Sequence, residues 1–302
     1  MRMFKPFLAI ITAILIWGLS PLIVSYVQPM QGPASNLFLR FATTAAFCIP
    51  CLLFTGAYIA RKDWPRLLIA SWVGFFGSVS GLHFGFTIEA VAIGSAIIAL
   101  QPLLIACVAI GVGQEKRNAM TVVGLCLSLA GSILLFSNQI LSAKLTLHTF
   151  MGAALIFAAG IAFAIFVVTT RTLTQTYGAA RVTLLTLFLS AVPALLFFRP
   201  EIIEQISLMR GPDWATLIYL SVIETIVGYV AWNYAASQFK PSTAGSMLYL
   251  LPIFTLLPYW IKLDGIISVA QLTGAIIVVS GLVLMQFNRG NTDNWKGYEP
   301  LP

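Results

Sequence analysis

Few residues in this chain can do chemistry, and most of them stand inside apolar runs. Glu224 lies eleven residues after Asp213, near the middle of a long apolar stretch. A carboxylate at mid-depth in hydrocarbon costs about 2.5–3.5 kcal/mol on insertion scales and normally faces the interior of a helix bundle. Two uses fit it: holding a cationic group on a substrate, or taking up and releasing a coupling proton. The bland alternative is a protonated acid bonded to a neighbouring helix. Arg40 lies a few residues inside a second run. Its guanidinium can grip a carboxylate through two parallel hydrogen bonds, or its stem can snorkel to the interface. His83 falls 150 residues before another polar residue, Asn233. An imidazole there relays a proton, bonds a substrate, or simply bridges two helices. Gln101 precedes Pro102, where a helix bends and frees carbonyls. Several spans carry aromatic residues: Trp17, Trp72, Trp232, Tyr229, Tyr234 and Tyr249. Some are interfacial anchors, but Trp17 and Tyr249 sit deeper than an anchor needs. Aromatic walls suit an apolar ligand or a quaternary amine. The candidate binding set is therefore Glu224, His83, Arg40, Trp17, Gln101, Asn233 and Tyr249.

Other chemistry finds little support. Cys48, Cys51, Cys107 and Cys126 all lie in apolar runs, and the Cys48-x-x-Cys51 pair has no second pair or His ligand beside it. Small lipid-compatible core residues are the reading that fits. Ser80 and His83 share a helix face, yet two side chains of one helix approach the geometry of a serine hydrolase poorly. There is no His-Glu-x-x-His and no paired Asp-rich motif, so no enzyme and no metal site is expected. A channel would want a repeated pore signature or charged rings, and neither is present.

These residues must be positioned by elements built for lipid. The chain has 302 residues, 59% hydrophobic and only 9% charged, with a mean hydropathy of +0.93. Soluble domains carry about 25% charged residues. The net charge of +7 comes from cations scattered between apolar runs, which reads as membrane topology rather than a nucleic-acid surface. About 20 apolar residues in a helix cross about 30 Å of hydrocarbon. Ten such helices are predicted at about 7–27, 35–58, 67–88, 92–113, 119–137, 150–170, 180–198, 214–238, 243–261 and 268–288, with boundaries good to ~2–4 residues. The first run is longer than a signal-peptide core and lacks a cleavage site, so it is read as the first span. Counting Lys and Arg by side, Arg2, Lys5, Arg61, Lys62, Arg66, Lys116, Arg117, Arg171, Arg181, Lys240, Arg289 and Lys296 fall together, twelve in all. Lys144, Arg199, Arg210 and Lys262, four in all, fall opposite. Positive residues stay inside, which puts both termini in the cytoplasm.

The second half repeats the first. Shifted by 150, Leu100 and Pro102 fall on Leu250 and Pro252, and Gly124, Gly131 and Leu134 fall on Gly274, Gly281 and Leu284. Five helices per half is an odd number, so the second half enters the membrane inverted. Inverted repeats related by an in-plane axis recur in secondary transporters, with the substrate site near the midplane where the halves meet. Gly124, Gly131, Gly274 and Gly281 read as close packing or pivots, and Pro102 and Pro252 as bends. The expected fold is an all-α membrane protein of ten transmembrane helices in two inverted five-helix repeats, residues 1–140 and 141–290, with a cytoplasmic tail over 291–302.

These features together resemble the ten-helix EamA branch of the drug/metabolite transporter superfamily. The resemblance is carried by Ile16-Trp17-Gly18, Leu39-Arg40-Phe41, the stretch from Ala96 to Pro102, Trp232-Asn233-Tyr234-Ala235, Tyr249-Leu250-Leu251-Pro252 and the two glycine pairs. Two departures stand out. Asp264 stands where Glu is frequent, although Glu115 is present in the first half, and Glu224 occupies a position that is usually small or hydroxylated in relatives. The resemblance implies a secondary transporter in the cell (inner) membrane, exporting an amino acid or related metabolite. Relatives that carry sugars, nucleotides or drugs make a drug or quaternary-amine carrier the alternative. The implied partners are a small-molecule substrate and the lipid bilayer, with no nucleic acid. No cofactor is implied; a proton is the coupling ion that Glu224 suggests.

Overall fold

A computed structural model describes residues 4–24, 33–87, 91–141, 146–254 and 268–287, and all regular structure among them is helical. Arg2, Lys144, Lys262, Asp264, Arg289, Lys296, the later part of the ninth predicted helix and the 291–302 tail lie outside these residues. Helix α1 is Phe4–Val24, α2 is Pro33–Thr55, α3 is Arg61–Phe86, and α4 consists of Val91–Ile98 and Gln101–Gly111. Next come α5, Ala119–Leu135, α6, Leu147–Tyr177, α7, Ala179–Phe197, and α8, Gly211–Gln238. Helix α9 runs over 241–254 and α10 is Val269–Phe287. The connections predicted near 138–149 and 199–213 hold short helices, Ser137–Leu141 and Glu201–Leu208.

The helix starts have local causes. Pro65, Pro212 and Pro241 sit in the first turns at the heads of α3, α8 and α9, where a missing N–H costs nothing. The Asn118 side chain accepts from the Met120 N–H at 2.9 Å to open α5. Thr146 and Thr149 bond reciprocally to open α6. Gly178, at φ 89°, turns the chain between Tyr177 and Ala179 in one residue, a conformation that glycine adopts without penalty.

Two pairs of equivalent places depart from the plain helices read from sequence. The predicted 92–113 helix is interrupted at 99–100, where the Leu100 N–H turns back to the Ile97 carbonyl at 2.9 Å. Pro102 explains this, since it lacks an N–H and its ring clashes with the carbonyl four residues earlier, at Ile98. Helices α3 and α8 contain π-helical segments at Ile69–Phe76 and Tyr219–Val227. Their first residues, 69 and 219, are 150 apart. The α4 break and the 3-10 turn Met247–Leu250 in α9 likewise fall at equivalent places, each just ahead of its proline.

Among the described residues, five helices are long and apolar enough to cross a membrane: α2, α3, α6, α7 and α8. Shorter apolar stretches lie in α1, α4, α5 and α10. Large apolar side chains cover the outer faces, Leu53 being 82% exposed and Phe54 91%, an arrangement that water would not tolerate over so wide an area. Ser71, Ser128, Ser132, Thr183, Ser190 and Ser221 are fully buried instead. Inside, Ile10, Ile14, Phe41, Phe75, Phe166 and Trp232 belong to one continuous core. Helix α3 packs on α6, α8 on α1, α2 on α7 and α5 on α10. The α5–α10 contact is backbone to backbone. A Cβ on Gly131 would lie 2.7 Å from the Gly274 carbonyl oxygen, and one on Gly281 would lie 2.7 Å from that of Gly124. Only glycine permits this approach, which is the small-residue packing typical of membrane helices.

Candidate functional site

A cavity of about 580 Å³ is walled by α1, α3, α4, α6, α8 and α9, well within the ~300–1,000 Å³ typical of small-molecule sites. Its walls are mostly apolar and aromatic, with Trp17, Phe86, Phe136, Phe163, Tyr229 and Tyr249 among them. Ser78 and Gln101 add neutral polar groups. Among the described residues, Glu224 is the only charged side chain lining it.

The π-helical segment of α8 sets the position of Glu224. The Gly228 N–H reaches five residues back to the Ile223 carbonyl, and not four back to that of Glu224. The Glu224 carbonyl instead accepts from the Trp17 indole Nε1 at 3.0 Å. Gly228 makes room for this, since a Cβ there would lie 2.8 Å from Trp17 Nε1. Thr225 holds the wide turn from within: its hydroxyl donates to the Leu220 carbonyl, also five residues back, at 2.7 Å. The same hydroxyl accepts from Arg40 Nη2 at 3.0 Å. Arg40 Nη2 also lies 3.3 Å from Glu224 Oε1. Arg40 therefore turns towards α8 instead of snorkelling, and stands behind the carboxylate without lining the cavity. Oε2 of Glu224 is buried and has no hydrogen-bond partner among the described residues.

The other sequence candidates divide by location. Trp17, Gln101, Tyr249, Pro102 and Pro252 line the cavity with Glu224. The Tyr249 hydroxyl donates to the Leu125 carbonyl at 3.2 Å, fixing its ring against α5. His83 and Asn233 are not on the walls. His83 Nε2 is 2.7 Å from the Pro33 carbonyl at the head of α2. Asn233 is 1% exposed; it accepts from the Thr170 hydroxyl at 3.1 Å and donates to that of Thr183 at 2.8 Å, tying α8 to α6 and α7. Ser80 Oγ is buried without a hydrogen-bond partner among the described residues, and so does not meet the His83 ring as a nucleophile meets its base. Among the described residues no cluster of His, Cys, Asp and Glu could hold a metal. Sequence reasoning missed Ser78, Phe163 and Thr225. The first two carry no signal beyond ordinary helix spacing, and the role of Thr225 exists only because the turn there is π-helical.

The end of the bundle away from Phe86 and Phe136 is bolted by polar contacts between loops and helices. The Glu115 carboxylate accepts from the Ser242 N–H at 2.9 Å and from its hydroxyl, at the positive N-terminal end of α9. Gln114 donates to the Val168 carbonyl at 3.0 Å, and Arg171 Nε to that of Phe239 at 3.0 Å.

Comparison with known proteins fits this architecture. The model of the EamA-like transporter family matches residues 4–137 and again 150–287. The chain belongs to the EamA-like transporter family. As an EamA-like transporter it is a membrane protein, and its apolar outer faces meet lipid. Its relatives include the transporter YyaM of Bacillus subtilis (strain 168), 23% identical over 86% of this chain and 87% of that one. A protein of Escherichia coli (strain K12) named as a probable amino-acid metabolite efflux pump is 22% identical over 91% of this chain and 92% of its own length. A solved crystal structure has the same fold, with a TM-score of 0.78 and 19% identity over 96% of this chain and 99% of that one.

Proposed function

We propose that the chain exports a small metabolite, an amino acid or related compound, across the cytoplasmic membrane by alternating access. In this reading ten helices cross the bilayer as two inverted repeats, residues 1–140 and 141–290, with both termini and the 291–302 tail in the cytoplasm. The single observation that carries the reading is the cavity lined by helices of both halves, with one carboxylate, Glu224, on its wall. The two separate family matches, the π-helical segments 150 residues apart and the reciprocal glycine contacts of α5 and α10 support a repeat-built carrier. The name of the Escherichia coli relative, a probable amino-acid metabolite efflux pump, supports amino-acid metabolites and the outward direction. The polar bolt around Glu115 would then close the cytoplasmic end while the cavity faces out.

Coupling falls to Glu224. With Arg40 on one oxygen and, among the described residues, no hydrogen-bond partner on the other, it is the group best placed to take up a proton as the site empties. Glu224→Gln keeps shape and removes the charge. If it carries the coupling proton, the variant loses pH-gradient-driven net flux but keeps substrate exchange in proteoliposomes. Unchanged flux, exchange and pH dependence would remove Glu224 from the mechanism.

Access itself is tested without knowing the substrate. Ala99 lies on the cavity wall. A cysteine placed there in a background lacking the four native ones should react with impermeant thiol reagents from either side of the membrane. A crosslink across the cytoplasmic end should abolish the inner reactivity and keep the outer. Reactivity from one side only would overturn alternating access.

A further inference from the structure

We infer that the group this cavity reads on its substrate is a protonated amine on an apolar body, and that a carboxylate on the substrate is not recognised. The inference deepens the transport reading and rests on it. Its first support is charge. Among the described residues the lining holds one carboxylate and no Lys, Arg or His. An anionic substrate group would find only neutral donors such as the Gln101 amide and the Ser78 hydroxyl, and would leave water without a counter-charge, which is costly.

The second support is an unmade bond. An ionised carboxylate offers about four acceptor sites. Arg40 occupies Glu224 Oε1 at 3.3 Å, while Oε2 is buried with no hydrogen-bond partner among the described residues. A buried acceptor left empty in this way lacks a donor. The guanidinium already on Oε1 shows that this carboxylate holds a cation where it stands, and an ammonium supplies the missing donor on Oε2. Sharing the carboxylate with Arg40 weakens the grip on each cation, which suits a site that must also release its ligand.

The third support is the aromatic wall beside the carboxylate. The indole of Trp17 is fixed there by its bond to the Glu224 carbonyl, with the Tyr229 ring 4.9 Å from it, centroid to centroid. Ring faces attract a desolvated cation. Phe86, Phe136, Phe163 and Leu248 then receive an apolar body.

One scaffold tests this. 2-Phenylethylamine, phenylalanine, 3-phenylpropionate and 2-phenylethanol are titrated against the purified full-length protein, with affinity read from the shift in thermal unfolding and from tryptophan fluorescence. The expected order is amine first, phenylalanine no tighter than the amine, and the acid and the alcohol each weaker by roughly 10- to 100-fold, the ratio of a charged hydrogen bond. Arg40→Met, which removes the competing cation, should tighten the amine, and Glu224→Gln should erase its advantage over the alcohol. The acid or alcohol binding as tightly as the amine, phenylalanine binding tighter than it, or none of the four binding would overturn the inference. If Glu224→Gln does not fold, the four-ligand order on the unmodified protein decides alone. Cysteine access at position 99 is independent of any ligand. Alternation there without amine preference sinks this inference and leaves transport standing, whereas one-sided reactivity with amine preference does the reverse.

Discussion

The Ser128 hydroxyl donates to the Val278 carbonyl at 3.2 Å, joining two residues 150 positions apart in the chain. That interval is the one at which the glycines and prolines recur, so each residue meets its own counterpart. On either side the contacts cross over: Gly124 abuts Gly281 and Gly131 abuts Gly274. Helices α5 and α10 form a seam with no room for side chains at four points.

Gly131→Ala should therefore be destabilising. Its Cβ would lie 2.7 Å from both the Gly274 carbonyl oxygen and the Val278 nitrogen, and forcing a methyl against backbone costs about 1–3 kcal/mol. Gly111→Ala is the control, since nothing lies within 4 Å of the methyl it adds. Thermal unfolding of the two purified variants should show a lower midpoint for the first and an unchanged or higher one for the second. Equal midpoints would mean that the seam is not tight.

Arg40 and Glu224 should be energetically coupled. Removing one partner leaves the other's charge partly buried, at 24% and 17% side-chain exposure. Arg40→Met and Glu224→Gln should each destabilise, and the double variant should lose less than the sum, with an interaction energy of about 0.5–3 kcal/mol. Strict additivity in a denaturant cycle would show that the contact contributes nothing.

Thr225→Val probes the wide turn. It keeps shape and removes the hydroxyl that bonds the Leu220 carbonyl and receives Arg40. The expected loss is about 1–3 kcal/mol of stability. Because the turn aims Glu224, flux in proteoliposomes should fall more than in Thr225→Ser, which restores the bond. Equal flux in the two would make Thr225 a mere packing residue.

Topology is checked at the ends of the bundle. Cysteines replacing Lys62 and Arg210, one at a time, should label from opposite sides of intact cells, position 210 from outside. Both labelling from outside would reverse the cytoplasmic assignment of Lys62 at the head of α3.

Much of the scaffold was legible because lipid makes hydropathy decisive. Apolar run length marks helices, and Pro102 marked its bend by covalent geometry alone. Trp17, Gln101, Glu224 and Tyr249 drew notice as polar or aromatic groups at depths where lipid does not reward them, and all four lie on the cavity wall. The Arg40–Glu224 contact was not legible. Hydropathy orders residues along a helix but carries no information on which helices touch, so Arg40 read equally well as a snorkelling cation. The π-helical turns escaped for a related reason, since an α-turn and a π-turn can have the same composition. The sites of His83 and Asn233 show the same limit. A polar residue in a span demands a partner, and here backbone and hydroxyl groups of neighbouring helices supply it.

Position 74 is the counterpart of position 224, and there a side chain has nowhere to go: a Cβ on Gly74 would sit 2.8 Å from the Phe166 Cα. A symmetric dimer of two identical half-length subunits would have to put the same residue at both places. Glutamate would collide wherever the helices cross as closely as they do at Gly74, and glycine would leave both crossings without charge. Neither such dimer could own one acid and one guanidinium facing each other once. Covalent linkage of the halves removes that obligation, letting one copy keep its tight helix crossing while the other gives up closeness for a charge. The charge of the cavity wall thus stands on one side of the 150-residue offset and not on the other, where Phe166 closes the equivalent position.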